Sequence, residues 1–127
     1  MKLFLVIPFL FFYNRTHVKN ETELSSLYIK KDARKLAEYY RQLVIRGKSM
    51  ASVAQLYSED SSSAANGGLI SNVRKGLMVA EFEKAAFSLK VNEISPVFET
   101  EFGFHFIQLL SRKAEVLTLR HVLVTRD

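Results

Sequence analysis

Cysteine is absent from this 127-residue chain. That excludes a disulfide framework, a thiol nucleophile and thiolate metal sites. It leaves the redox compartment open, since a cysteine-free chain suits either side of a membrane. Histidine is scarce: His17, His105 and His121 stand far apart, and no H-E-x-x-H pattern occurs. No metal constellation is therefore expected. There is no dense run of like charge, although the formal net charge is +5. Lys30, Lys31, Arg34, Lys35, Arg41, Arg46, Lys48, Arg74, Lys75, Arg112 and Lys113 are spread along the chain rather than gathered into a tail. The balance reads mainly as solubility, and a nucleic-acid partner is not expected. No internal repeat and no long linker interrupt the chain.

The chain length suits one domain with one core. A hydrophobic fraction of 48% and a charged fraction of 24% are ordinary for a globular protein and argue against disorder. The start is unusual. Met1-Lys2 precedes an apolar stretch, residues 3–13, with the short positive beginning of a secretory signal. It is too short to span a bilayer as a helix, which needs about 20 apolar residues. No A-x-A-like cleavage site follows it. Membrane association through residues 3–13 and packing of this stretch on the domain both stay open. Residues 14–22 are polar and read as a connector.

Hydrophobic spacing then sets out the elements. Leu27-Tyr28-Ile29 reads as a short strand. Asp32 can cap a helix over 33–46, where Ala33, Leu36, Ala37, Tyr40, Leu43 and Val44 recur at helical intervals, and Gly47 stops it. Ser49 caps a second helix with Met50, Val53, Ala54 and Tyr57 inward. Residues 58–68 are small, polar and rich in turn formers, which makes them a loop, and such a loop in a compact domain is more often functional than idle. An extended piece over 70–73 precedes a helix over 79–88, with Val79, Phe82, Ala86 and Phe87 on one face. Residues 94–99 read as an edge strand because they hold Pro96. Alternation over 104–110 and the apolar run 116–125 give two more strands. Helices mixed with hairpin-linked strands point to an α+β fold.

Three segments carry a family resemblance. The first is Ala54-Gln55-Leu56-Tyr57-Ser58-Glu59-Asp60 followed by Ser63-Ala64-Ala65-Asn66-Gly67-Gly68. The second runs from Lys75 to Leu89 and contains Met78-Val79-Ala80-Glu81-Phe82-Glu83. The third, Glu93 to Ile107, contains Glu93-Ile94-Ser95-Pro96-Val97 and Phe102-Gly103-Phe104-His105. In order and spacing they resemble the parvulin family of peptidyl-prolyl isomerases, over residues 23–112. The resemblance implies an FKBP-like fold: a small, mainly antiparallel four-stranded sheet surrounded by three to four helices. It implies isomerisation of X–Pro bonds in unfolded or extended client proteins, with no cofactor and no metal. The alternative is a catalytically weak module that holds extended polypeptide as a chaperone. A basic nucleic-acid or lipid-surface binder ranks last.

By the same resemblance, Met78, Phe82, Phe102 and Ile70 are the candidate wall of a proline socket. Asp60 matches the position beside the twisting amide, His105 the family's second histidine, and Thr100 its hydroxyl neighbour. The first strand of the family usually carries a histidine; here Ser26 stands in that place, which implies weakened activity. Leu69-Ile70 after the double glycine and Ala80 before Glu81-Phe82-Glu83 also depart from the family pattern. Finally, Leu119-Arg120-His121-Val122-Leu123-Val124 resembles the opening strand of a further domain of this kind. Residues 113–127 are therefore expected as an extra strand that could begin a second domain, as in tandem-domain proteins of the bacterial envelope. A bacterial periplasm or cell envelope is the implied setting, with the cytoplasm left open.

Overall fold

The computed structural model describes residues 31–126. The apolar start, the connector, the strand expected at Leu27–Ile29 and Ser26 lie outside the described residues. Helix α1 spans Ala33–Ile45 and α2 spans Met50–Tyr57; a single 3-10 turn follows at Ala64–Asn66. Strand β1 is Leu69–Val73, helix α3 is Ala80–Phe87, and strands β2, β3 and β4 are Phe98–Thr100, Gly103–Lys113 and Val116–Val124. The fold is α+β, with one four-stranded sheet in the order β1-β4-β3-β2 and every neighbouring pair antiparallel.

The helix ends follow from their capping residues. The Asp32 carboxylate accepts from the Lys35 N–H, satisfying one of the donors that the first turn leaves open. At the other end Gly47 takes a left-handed φ of 120°, so that Gly47 donates to the Val44 carbonyl and Lys48 to the Leu43 carbonyl. That is the Schellman arrangement, and it halts α1. Ser49 caps α2 by accepting from the Ser52 N–H.

Alternation along β3 and β4 divides the sheet into two faces. Phe106, Val122 and Val124 turn to one side and pack with Leu36, Tyr40, Leu43 and Val53 from α1 and α2. Ile107, Leu109, Leu117 and Leu119 turn to the other and pack with Phe82 and Ala86 from α3. His105 and His121 share that second face by the same period of two, and both are buried. The sheet thus continues beyond residue 112: β4 lies inside it, hydrogen-bonded to β1 on one side and β3 on the other.

The strand expected over 94–99 is shorter in the structure. Only Phe98–Thr100 pairs as β2, and Ile94 makes an isolated bridge with Gln108. Pro96 has no N–H to give a ladder, so the chain pairs on either side of it. Ser95 takes over locally: its N–H donates to the Ile107 carbonyl, and its hydroxyl accepts from the Ile107 N–H.

The loop before β1 meets β4 at a point that admits no side chain. The Gly68 carbonyl accepts from the His121 N–H, and a Cβ built on Gly68 would lie 2.2 Å from the His121 carbonyl oxygen. Gly68 also has a φ of 76°, where an L side chain is strained. Gly47 is equally left-handed but faces open space. Gly68→Ala is expected to destabilise the domain by at least about 2 kcal/mol, strain and clash together, whereas Gly47→Ala carries the strain alone at about 1–2 kcal/mol. Urea unfolding of the two variants checks this; equal losses would show that the approach of β4 to Gly68 is not a real constraint.

Candidate functional site

The site lies on the α3 face of the sheet, beyond the end of its apolar packing. In the β3–β4 ladder Ile107 is the partner of His121, and His105 the partner of Leu123. The two histidines are therefore diagonal cross-strand neighbours, within reach of ring contact. Their rings lie nearly parallel with centroids 5.7 Å apart. Phe82, from the first turn of α3, sets its ring edge-on to both, at 5.6 Å from His105 and 5.5 Å from His121. Phe98 of β2 stacks on the far face of the cluster, 5.3 Å from His105.

Polar partners fix each imidazole from outside. Thr100 Oγ1 lies 2.6 Å from His105 Nε2 and accepts from the Phe102 N–H. His121 Nε2 lies 2.7 Å from Asp60 Oδ2. The same carboxylate accepts from the hydroxyls of Ser62 and Ser63, and Ser63 Oγ also approaches His121 Nε2 at 3.2 Å. Asp60 holds this position because its own carbonyl accepts from the N–H groups of Ser63 and Ala64, closing the loop into a tight turn.

These contacts settle the charges. Burial pushes the Asp60 carboxyl upward, but hydrogen bonds from Ser63, His121 and Ser62 outweigh it and hold the group at about 2. Burial, and then the neighbouring His121, bring His105 down to about 4 against the attraction of Asp60. Burial also lowers His121, and the hydrogen bond to Asp60 only partly offsets it. At neutral pH the site holds one carboxylate and two neutral imidazoles. The close His121–Asp60 contact is then a neutral N–H donating to a carboxylate rather than an ion pair, which assigns the proton of His121 to Nε2. Among the described residues, Nδ1 of each ring is buried and no side chain or backbone group hydrogen-bonds to it.

A cleft of about 680 Å3 opens over this cluster. Asp60, Ser63, His105 and His121 form its polar floor; Met78, Phe82, Ile70 and Phe102 are among its apolar walls. Phe82 is both wall and core at 2% exposure, while Phe102 stands out at 54%. Leu77, Leu69 and Leu123 also line the cleft, and Leu77 is exposed. The structure thus brings together seven of the eight residues named from the sequence: six line the cleft, and Thr100 stands behind His105. Ser26 lies outside the described residues.

His121 was not among the named site residues. Its signal is present, because its strand carries the resemblance, but the sequence leaves open whether that strand joins this sheet or begins a further domain. The pairing of β4 with β1 is a non-local fact that no spacing along the chain encodes. Ser63 was equally unnamed; a serine in a serine-rich loop carries no pattern of its own. Among the described residues no group of three or more metal-ligating side chains occurs, and no helix is long and apolar enough to cross a membrane.

An α+β domain with an apolar cleft over a buried histidine pair agrees with the resemblance to the parvulin family. The comparisons give the family directly: residues 17–111 match the rotamase model described as a PPIC-type PPIASE domain, so the chain belongs to that family. It is 34% identical over 99 residues to Foldase protein PrsA 4 of Bacillus cereus, covering 78% of this chain and 35% of that protein. It is 41% identical over 78 residues to Chaperone SurA of Nitrosococcus oceani, covering 61% of this chain and 18% of that protein. A Parvulin-like PPIase of Rickettsia felis is 35% identical over 100 residues, covering 76% of this chain and 36% of that protein. The crystal structure of the Bacillus cereus peptidylprolyl isomerase PrsA superimposes with a TM-score of 0.62 at 36% identity, over 65% of this chain and 32% of that one. The chain thus spans a minor part of each relative's length. The family match ends at residue 111, before β4 begins.

The charge assignment makes the fold acid-sensitive with a definite sign. Both histidines titrate below their ordinary value of 6.5 in the folded state. As pH falls through 6.5 the unfolded chain takes up their protons first, so stability drops from there toward about 4, where folded His105 titrates. Asp60, held below its ordinary 3.8, contributes stability above that value and loses it as pH falls toward about 2. Urea midpoints measured from pH 8 to pH 4 should decline below 6.5, and His105→Gln should flatten the decline. A curve flat from pH 7 to pH 4.5 would show that the histidines are not buried neutral.

Proposed function

We propose that this chain catalyses cis-trans isomerisation of X–Pro bonds in unfolded or extended polypeptide clients. The observation that carries the reading is the apolar cleft lying directly over an ionised carboxylate and two neutral imidazoles. Membership of the PPIC-type family supports it independently.

The reaction breaks no covalent bond; its barrier of about 18–20 kcal/mol is lost amide resonance. Left alone, the bond turns in tens to hundreds of seconds. The planar amide owes its resonance to charge separation, with negative charge on oxygen, and the twisted amide has less of it. A dry, apolar socket therefore disfavours the planar form relative to the twisted one. Met78, Phe82 and Phe102 supply that socket for the pyrrolidine ring. Asp60, kept ionised, adds repulsion toward a carbonyl oxygen beside it, again strongest in the planar form. Neutral His105 and His121 fit this chemistry, since no proton moves and no base is needed. They hold Phe82 and Asp60 at fixed distances, and no metal or organic cofactor enters the step.

In this reading His121 takes the place left by Ser26 at the family's first-histidine position. The working domain then extends through Val124, and activity does not hinge on residue 26. A second reading rests on the exposed apolar rim, Leu77 at 65% and Phe102 at 54% exposure. Such a rim also suits holding extended polypeptide without turning it. A bacterial cell-envelope setting agrees with the signal-like residues 3–13.

A proline-isomerisation assay on short X–Pro peptides, read by NMR exchange, separates the two readings. The chain should accelerate the exchange, and Ser26→His should leave the rate unchanged. Met78→Ala should raise KM more than it lowers kcat. His121→Ala should lower kcat/KM by at least about tenfold, equivalent to about 1.4 kcal/mol. Peptide binding without acceleration would leave only the holding function, and neither would remove both.

A further inference from the structure

The β3–β4 ladder runs to the pair Lys113–Val116, so two residues, Ala114 and Glu115, make the whole turn. Both adopt positive φ, 51° and 59°. Two-residue hairpins of this kind match the twist of the strands, but they suit Asn-Gly or Asp-Gly, which tolerate left-handed backbone. Alanine and glutamate carry a Cβ against the carbonyl and are strained there. The Arg112–Glu115 contact across the turn, at 3.4 Å, is solvent-exposed and offsets little. Opened out, Ala114 and Glu115 would take ordinary extended backbone, and β3 would run straight on into β4.

The segment released by that opening is the strand the sheet can least do without. β4 separates β1 from β3, its Leu117, Leu119 and Val122 are fully buried, and it carries His121. A chain with β4 withdrawn has a strand-wide gap in its sheet, lined by unpaired backbone groups of β1 and β3. The segment shaped to fill it is β4 of a second copy. Every contact of β4 with its sheet would then recur between copies, and the difference between the two forms lies in the turn, where exchange relieves the strain twice over.

We propose that two copies of this chain exchange β4 through the Ala114–Glu115 hinge, so that each copy completes its partner's sheet and provides His121 to its partner's site. Strained short hinges favour such exchange. The assembly is self-complementary, and its sites are composite: Asp60, Met78, Phe82 and His105 come from one copy and His121 from the other.

The absence of cysteine makes the test clean. Ser111 and Thr118 face each other across β3 and β4. In the double variant S111C/T118C, equilibrated at high concentration and then oxidised, exchanged β4 gives a disulfide between chains, and unexchanged β4 one within a chain. Non-reducing gels should show a reducible dimer that the single variant S111C does not give. Adding A114N/E115G, which suits the closed turn, should lower the dimer association constant by on the order of tenfold or more. Light scattering on the chain without cysteines gives a second reading: a dimer fraction rising with concentration and falling in A114N/E115G. A chain that is monomeric at all concentrations, or a dimer indifferent to the hinge change, overturns the proposal. Neither measurement depends on isomerase activity, so the exchange stands or falls apart from the catalytic reading.

Discussion

The placement of β4 against the Asp60–Gly68 loop is the constraint on which the rest of this structure depends. One short stretch of backbone does several things there. The His121 N–H donates to Gly68, its side chain meets Asp60 and Ser63, and its strand joins β1 to β3. The residues flanking it extend the same hold. Arg120 Nη1 donates to the carbonyls of Asn66 and Gly67, pinning the loop that carries Asp60. Arg126 donates to the carbonyls of Thr100 and Glu101, pinning the turn that carries Phe102. The loop that carries Asp60 and the turn that carries Phe102 are thus both tied to β4 and the residues just beyond it. Bonds of a charged guanidinium to backbone carbonyls are among the stronger hydrogen bonds a surface can offer, and they are directional.

The neutral state of the histidine pair follows from this packing. Two imidazoles at ring-contact distance, edge-on to Phe82 and screened by Phe98, have little water to stabilise a charge. The carboxylate beside the pair, Asp60, is already satisfied by two serine hydroxyls besides His121 and does not need an imidazolium. The cleft therefore owes its polarity to Asp60 and the serines and its apolar lining in part to the aromatic rings.

Much of this was legible in the sequence, for reasons that separate local from non-local information. The spacing from Ala33 to Val44, with Asp32 before it and Gly47 after, fixes α1 to within a residue, because caps and periodicity act over a few positions. Alternation from Phe104 to Leu110 puts His105 on the face opposite Phe106. The family resemblance assembles Asp60, Met78, Phe82, Phe102 and His105, which the structure does bring to one cleft. Residues 94–99 are less faithful: Pro96 breaks the ladder, and only part of the apolar run pairs. The place of β4 is the instructive loss. Ala114-Glu115 is not a hairpin sequence, so nothing in the turn announces that β3 and β4 are partners. The same poor fit between turn and residues hid the pairing in the sequence and strains it in the structure.

A site assembled this way cannot be partly present. Its groups come from five stretches of chain: the loop at Asp60–Ser63, β1 with Ile70, the approach to α3 and its first turn, the β2–β3 turn with His105, and β4. Each reaches the cleft only when the sheet is complete, since β4 must be in register for His121 to sit diagonally from His105, and Gly68 must admit it. A slip of one residue in β4 would turn His121 toward α1 and Val122 toward Phe82, exchanging a polar floor for an apolar one. The register is held against this by the bulky faces on both sides, where Leu117 and Leu119 pack on the α3 side and Val122 and Val124 on the side of α1 and α2. Core packing, which says nothing of chemistry by itself, is therefore what fixes the imidazole pair over Phe82.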